Sequence, residues 1–228
     1  VFYRIYAGDG TMPKLHLGAN DVLNKVMLVM GNEPNWNDAE VYLDGHSQSA
    51  VPSFTAKPGE TFEHHPKMFS SSKATLRALA SDIPSNACVF AEHAGFTWAG
   101  TTDLELCVPS STDGELCAES GTLTIGANGS WTNATKVTVG GGSAAAKLVL
   151  THKKSLGRET VVDIRTNGKL EIPAGVTEHV GELRFNGVKV PDGVYGSTSS
   201  GAMTKDNEDF SGAGVLKVGR VGLFLVVQ

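Results

Sequence analysis

The residues that could perform chemistry are few and scattered along the chain. His64 and His65, with Glu60 and Glu63 just before them and Glu92 and His93 further on, are of the types that ligate a divalent metal. Adjacent side chains on an extended segment point to opposite faces, so His64 and His65 do not converge on one ion. They read as surface histidines on a Pro-rich loop. No His-Glu-x-x-His occurs, and no Gly-x-Ser-x-Gly; Ser199-Ser200-Gly201 lacks the strand and helix that a nucleophile elbow needs. Asp103, Glu105, Asp113, Glu115 and Glu119 are dense enough to hold calcium beside a base, the requirement of a proton-abstracting lyase. Asp103 and Glu105, however, alternate with Leu104 and Leu106, the pattern of any solvated strand face. Asp206-Asn207-Glu208-Asp209 lacks the glycine and spacing of a calcium loop and reads as a turn. The expectation is no catalytic residue, no metal site and no cofactor.

Trp36 lies in the polar run Asn35-Trp36-Asn37-Asp38, where an exposed ring could stack on a sugar, and is the candidate glycan contact. Trp98 and Trp131 sit near strands and suit packing between layers equally well. Of the three cysteines, Cys107 and Cys117 flank a turn-rich segment and form a candidate disulfide. The alternative is that these two and Cys88 are small buried hydrophobes in strands.

The elements that must position these residues are short strands. Thr122-Leu-Thr-Ile, Lys147-Leu-Val-Leu and Lys169-Leu-Glu-Ile form one series, at steps of 25 and 22 residues. Lys136-Val-Thr-Val, Thr160-Val-Val-Asp-Ile and Glu182-Leu-Arg-Phe form a second, interleaved series at steps of 24 and 22. Similar strands at a near-constant step imply coils stacked one on the next. The fold expected is all-β, a right-handed parallel β-helix (β-solenoid). The alternative is an antiparallel β-sandwich, kept open by Asn128-Gly129, Asn167-Gly168 and Asn186-Gly187, since Asn-Gly is a strong hairpin signal. Residues 70–80 have the composition of a helix but alternate well enough to be a strand. The expectation is a single domain over 1–228, with inserted loops at 49–72 and 197–209.

Gly is 27 of 228 residues against a usual ~7%, which suits a chain that turns often. A net charge of -5, with no run of Lys or Arg, argues against nucleic acid as a partner. No apolar run approaches the ~20 residues of a membrane-spanning helix, so no membrane span is expected. The first residue is Val rather than Met, from which a processed product or a fragment is expected.

The segment 180–196, followed by a polar loop and 210–218, resembles the C-terminal repeat of secreted bacterial surface proteins of the Verrucomicrobia–Lentisphaerae kind, which carry autotransporter-associated β-strand repeats; 168–183 is similar to the preceding repeat. The resemblance covers roughly 121–219. It implies a parallel β-helix, an extracellular or cell-surface location, and a fibre, stalk or adhesin role without catalysis. The alternative is a carbohydrate-binding module or a polysaccharide-lyase-like β-helix protein. A parallel solenoid ends in open strand edges that must be capped or paired. Both ends of this chain are apolar and show no capping helix, so assembly is expected through Val1, Phe2, Tyr3 and Ile5 at one end and Leu223, Phe224, Leu225 and Val226 at the other. The expected partners are copies of the chain itself, head-to-tail or by strand donation, and surface glycans.

Overall fold

A computed structural model describes residues 2–5, 12–31, 39–56, 65–83 and 85–219. The chain winds as a parallel β-solenoid of about seven turns, and no helix occurs among the described residues. Each circuit has three faces. β1 (Phe2–Ile5) lies on the third face; β2 (Lys14–His16) follows on the first and β3 (Met27–Met30) on the third, one rung beyond β1. β4 (Glu40–Tyr42), β5 (Gln48–Val51) and β6 (Ser53–Ala56) then take the three faces in turn. β7 (Lys67–Ala78) covers the first two faces in one bent strand, and β8 (Ser85–Asn86) the third. β9 (Val89–Leu106) passes through all three, pairing with both halves of β7 and with β8.

β10 (Leu116–Ile125) spans the second and third faces. That pair is repeated by β11 (Lys136–Val139) with β12 (Ala146–Leu150), and by β13 (Val161–Ile164) with β14 (Gly168–Glu171). Here the first face is reduced to isolated bridges, Pro109 to Ser130 and Trp131 to Leu156. β15 (Thr177–Val180) and β16 (Glu182–Phe185) take the first and second faces. The chain then leaves the coil through β17 (Val188–Lys189), β18 (Gly193–Gly196) and β19 (Thr204–Lys205). It returns as β20 (Phe210–Ser211) on the third face and β21 (Val215–Val218) on the first.

Alternation within each strand sends one set of side chains inward, and parallel register stacks like on like. On the second face the inward column is Leu76, Phe96, Leu116, Val137, Val162 and Leu183, all with no exposed surface. On the third it is Leu104, Leu123, Leu148, Leu170 and Phe210. Phe54, Phe90, Phe96 and Trp131 pack ring to ring across the interior, with centroids 5.0–6.4 Å apart. Glycine permits the sharp corner at Gly121, where φ is +66° and a Cβ would lie 2.6 Å from the Thr102 carbonyl oxygen.

The two sequence series are two faces of the coil. Thr122, Lys147 and Lys169 are register partners at the expected steps. In the second series Lys136 pairs with Val161 rather than Thr160, making the steps 25 and 21. Thr160 is held at the corner, its Oγ1 donating to the Ala134 carbonyl at 2.8 Å. The antiparallel sandwich is excluded: antiparallel pairs are confined to β16 with β17 and β18 with β21.

The described residues of the segment 49–72 are part of the coil. Most of it belongs to β5, β6 and β7, while 57–64 lies outside the described residues. Its prolines misled because Pro52 sits between two strands and Pro66 just before one, where a missing N–H breaks no ladder. Residues 70–80 are largely strand, within β7. The segment 197–209 does loop out, with the short β19 inside it pairing with β18.

Candidate functional site

The two ends of the solenoid differ. At the first turn β1 is the outermost strand of the sheet β1–β3–β6, and β2 the outermost strand of the long sheet. Tyr3 shares an inward column with Leu28 and Phe54, yet it is 49% exposed because no further described rung covers it. Met12 and Val22 in the same turn are 41% and 48% exposed. Three of the five exposed large hydrophobics among the described residues thus lie on this outermost described turn.

An outward aromatic ladder also begins here. His16 stacks on Tyr42 at 4.4 Å and Tyr42 on Phe69 at 4.9 Å. Lys14 bridges Glu40 at 3.1 Å, and the Tyr42 hydroxyl donates to the same carboxylate at 2.8 Å. The rings face one another along the axis, so Tyr42 offers no open face for a sugar.

The other end is closed on two faces. After Phe185 the chain reverses through Asn186 and Gly187, both at positive φ, and β17 runs antiparallel along the outer edge of β16. β18 runs antiparallel along the outer edge of β21, and β19 covers β18 in turn. Tyr195 lies over this end, buried, opposite Leu216, its hydroxyl donating to the Pro191 carbonyl at 2.6 Å. Two open ends are therefore not what the described residues show: strands rather than a helix cap the C-terminal side. Of the assembly residues named from sequence, Val1, Leu223, Phe224, Leu225 and Val226 lie outside the described residues, as do Trp36, Glu60, Glu63 and His64. Phe2, Tyr3 and Ile5 belong to β1, and Ile5 is buried.

A groove of about 610 Å³ runs along the third face. Thr122, Lys147 and Lys169 form its floor as one outward column across three rungs. Arg165 and Asn167 line one side at the corner, and Glu208 and Asp209 close the far end. Lys147 donates to Glu171 at 3.0 Å, Lys169 to the Asn207 carbonyl at 2.8 Å, and Arg165 Nε to Asp163 at 2.9 Å. Burial pushes the Asp209 carboxyl up to about 6, aided by the nearby charges of Asp206 and Glu208. The sequence reading missed this groove. Its signal was present in the first series, whose second and third members both open with Lys.

The remaining candidates do not converge. His65 is buried rather than a surface histidine. His93 pairs with Asp113 at 2.7 Å. Glu119 is gripped two rungs back by the Arg77 fork, at 2.8 and 2.5 Å. Asp103 and Glu105 lie on the third face, whereas Asp113 and Glu115 lie beyond the first-face bridges. Asp206 accepts the backbone N–H groups of Glu208 and Asp209, so it organises its own turn. No group of three or more His, Cys, Asp or Glu among the described residues could hold a metal ion. Trp98 and Trp131 are both fully buried.

The candidate disulfide is absent: Cys88, Cys107 and Cys117 are free thiols. Cys117 is on the second face, opposite Thr97 and Thr138, whereas Cys107 follows the third-face end of β9. The residues between them form the first side of the next turn rather than a closed loop. Burial raises all three thiols, Cys117 to about 11.

Comparison with known proteins finds no matching family model, no matching curated protein and no matching solved structure. The parallel β-solenoid is therefore the class this chain defines by its own geometry.

Proposed function

We propose that this chain is an extracellular structural β-solenoid without catalysis, a self-associating fibre, stalk or adhesin subunit at a cell surface. The observation that carries this is the asymmetry of its ends among the described residues, where the apolar turn around Tyr3 has no covering strand and the opposite end is closed by β17, β18 and β19. Unpaired strand edges beside exposed apolar side chains favour addition of another strand. With two C-terminal faces covered, simple stacking of whole rungs is hindered, so strand donation is the favoured route. The apolar sequence Leu223-Phe224-Leu225-Val226 of one copy would add along β1 of the next. The surface location is supported by the resemblance over roughly 121–219.

Sedimentation velocity and negative-stain electron microscopy test this on the full chain. Concentration-dependent association is expected, abolished by Tyr3→Asp and by Leu225→Asp. A strictly monomeric, monodisperse particle at high concentration overturns it.

A further inference from the structure

Lys147 and Lys169 stand directly opposite one another on adjacent strands. Like charges in that relation destabilise a sheet, and they persist where something anionic offsets them. Within the chain the offset is partial. Glu171 bridges Lys147, whereas Lys169 donates to a neutral carbonyl and has as its nearest opposite charge the Asp209 carboxyl, which burial inclines to hold its proton. Beside them Arg165 commits Nε to Asp163, and among the described residues neither of its terminal nitrogens has a hydrogen-bond partner. Three cations therefore face one groove with donor capacity to spare.

We propose that this groove binds a short acidic oligosaccharide of uronic-acid units. Sugar carboxylates would meet Lys147, Lys169 and the Arg165 fork, and ring hydroxyls would meet Thr122 and the Asn186 amide. The two lysines are one strand spacing apart, ~4.8 Å, close to the length of one sugar residue. The groove lining contains no aromatic ring, so stacking cannot hold a neutral sugar there, and charge-assisted hydrogen bonds must supply the affinity. Glu208 and Asp209 at the far end, in a chain of net charge -5, repel a ligand as densely charged as a polyphosphate. A sugar chain instead offers them hydroxyl donors. This binding is independent of the end-to-end association proposed above.

Isothermal titration with trigalacturonate, maltotriose and inorganic tripolyphosphate tests the assignment. Trigalacturonate is expected to bind, and to weaken at least ~10-fold in Lys169→Gln and in Lys147→Gln, the usual effect of losing a hydrogen bond to a charged group. Lys217→Gln, an exposed lysine on the first face, should leave affinity unchanged, and circular dichroism should show all three variants folded. Maltotriose should not bind, and tripolyphosphate should bind more weakly. The assignment falls if trigalacturonate does not bind, if both groove variants retain wild-type affinity, or if either control ligand binds as tightly.

Discussion

The carboxylate of Glu178 lies inside the solenoid and accepts the backbone N–H of Ser155 at 2.9 Å. Ser155 belongs to the stretch where the first face is thinned to isolated bridges. One side chain there does what a neighbouring strand's carbonyls do elsewhere, and its second oxygen accepts the N–H of His179 at 3.1 Å. Burial nevertheless pushes the acid up from 4.5 to about 7.

A group whose folded pKa is raised binds its proton more tightly in the folded state. Its stabilising contribution is full below pH 4.5, declines as pH rises, and is lost above about 7. The loss is on the order of 3 kcal/mol, from the size of the shift. Asp209 has the same sign, but its window closes at about 6. Burial holds the adjacent His179 below 6.5, which has the opposite sign near that pH, so the comparison with Glu178→Gln by chemical denaturation between pH 6.5 and 8 is what isolates Glu178. Wild-type stability should fall across that range, and Glu178→Gln should flatten the fall. A variant with the same slope as wild type would refute this assignment.

Three free thiols predict an intact mass that does not change on reduction. A thiol reagent should titrate three groups per chain after denaturation and fewer in the native state, with half-buried Cys107 reacting ahead of Cys88. A native mass lower by two hydrogens would restore the Cys107–Cys117 bridge.

Core columns make each rung depend on its neighbours. Leu148 is fully buried between Leu123 and Leu170, so Leu148→Ala should cost about 2–5 kcal/mol by urea denaturation. The double variant with Leu170→Ala should depart from additivity, since the two side chains share one column. Strict additivity would mean that the column does not act as a unit.

Arg77 and Glu119 tie together rungs two apart through a fork, but both side chains are about one-third exposed. Arg77→Lys, which keeps the charge and loses the paired geometry, should lower stability by about 0.5–1 kcal/mol, with much of that difference vanishing in high salt. A salt-independent loss would point to packing instead.

The C-terminal half was readable from sequence because one strand per face is separated by turn residues, and Leu123, Leu148 and Leu170 recur with their outward neighbours in phase. The first half was not, because β7 and β9 bend around corners inside continuous strands. No Pro or Asn marks the turn at Gly100, and Leu76, Phe96 and Leu116 recur at 20 residues rather than the later 21–25. Asn-Gly was ambiguous for a physical reason. Asn186-Gly187 takes positive φ at both residues and makes a hairpin, whereas at Asn167-Gly168 only Asn167 does, and the coil simply turns. The cap depends on that difference, which composition does not reveal. The groove was equally hidden, since Lys147 and Lys169 become neighbours only once the register is known.

The cap itself carries the sharpest test of the proposed assembly. β18 occupies the edge of β21 that would otherwise be free, and Tyr195 covers the end of the core opposite Leu216. Tyr195→Ala removes that cover and the hydrogen bond to Pro191, so it should cost about 3 kcal/mol or more. Loosening of β18 would expose the β21 edge, giving the chain a second open end. A chain carrying both Tyr3→Asp and Tyr195→Ala should therefore associate again in sedimentation velocity, whereas Tyr3→Asp alone should be monomeric. Val188→Asp, an exposed position on β17, should not restore association. If the double variant is folded by circular dichroism and still monomeric, the cap does not limit assembly, and the asymmetry of the ends loses its functional meaning.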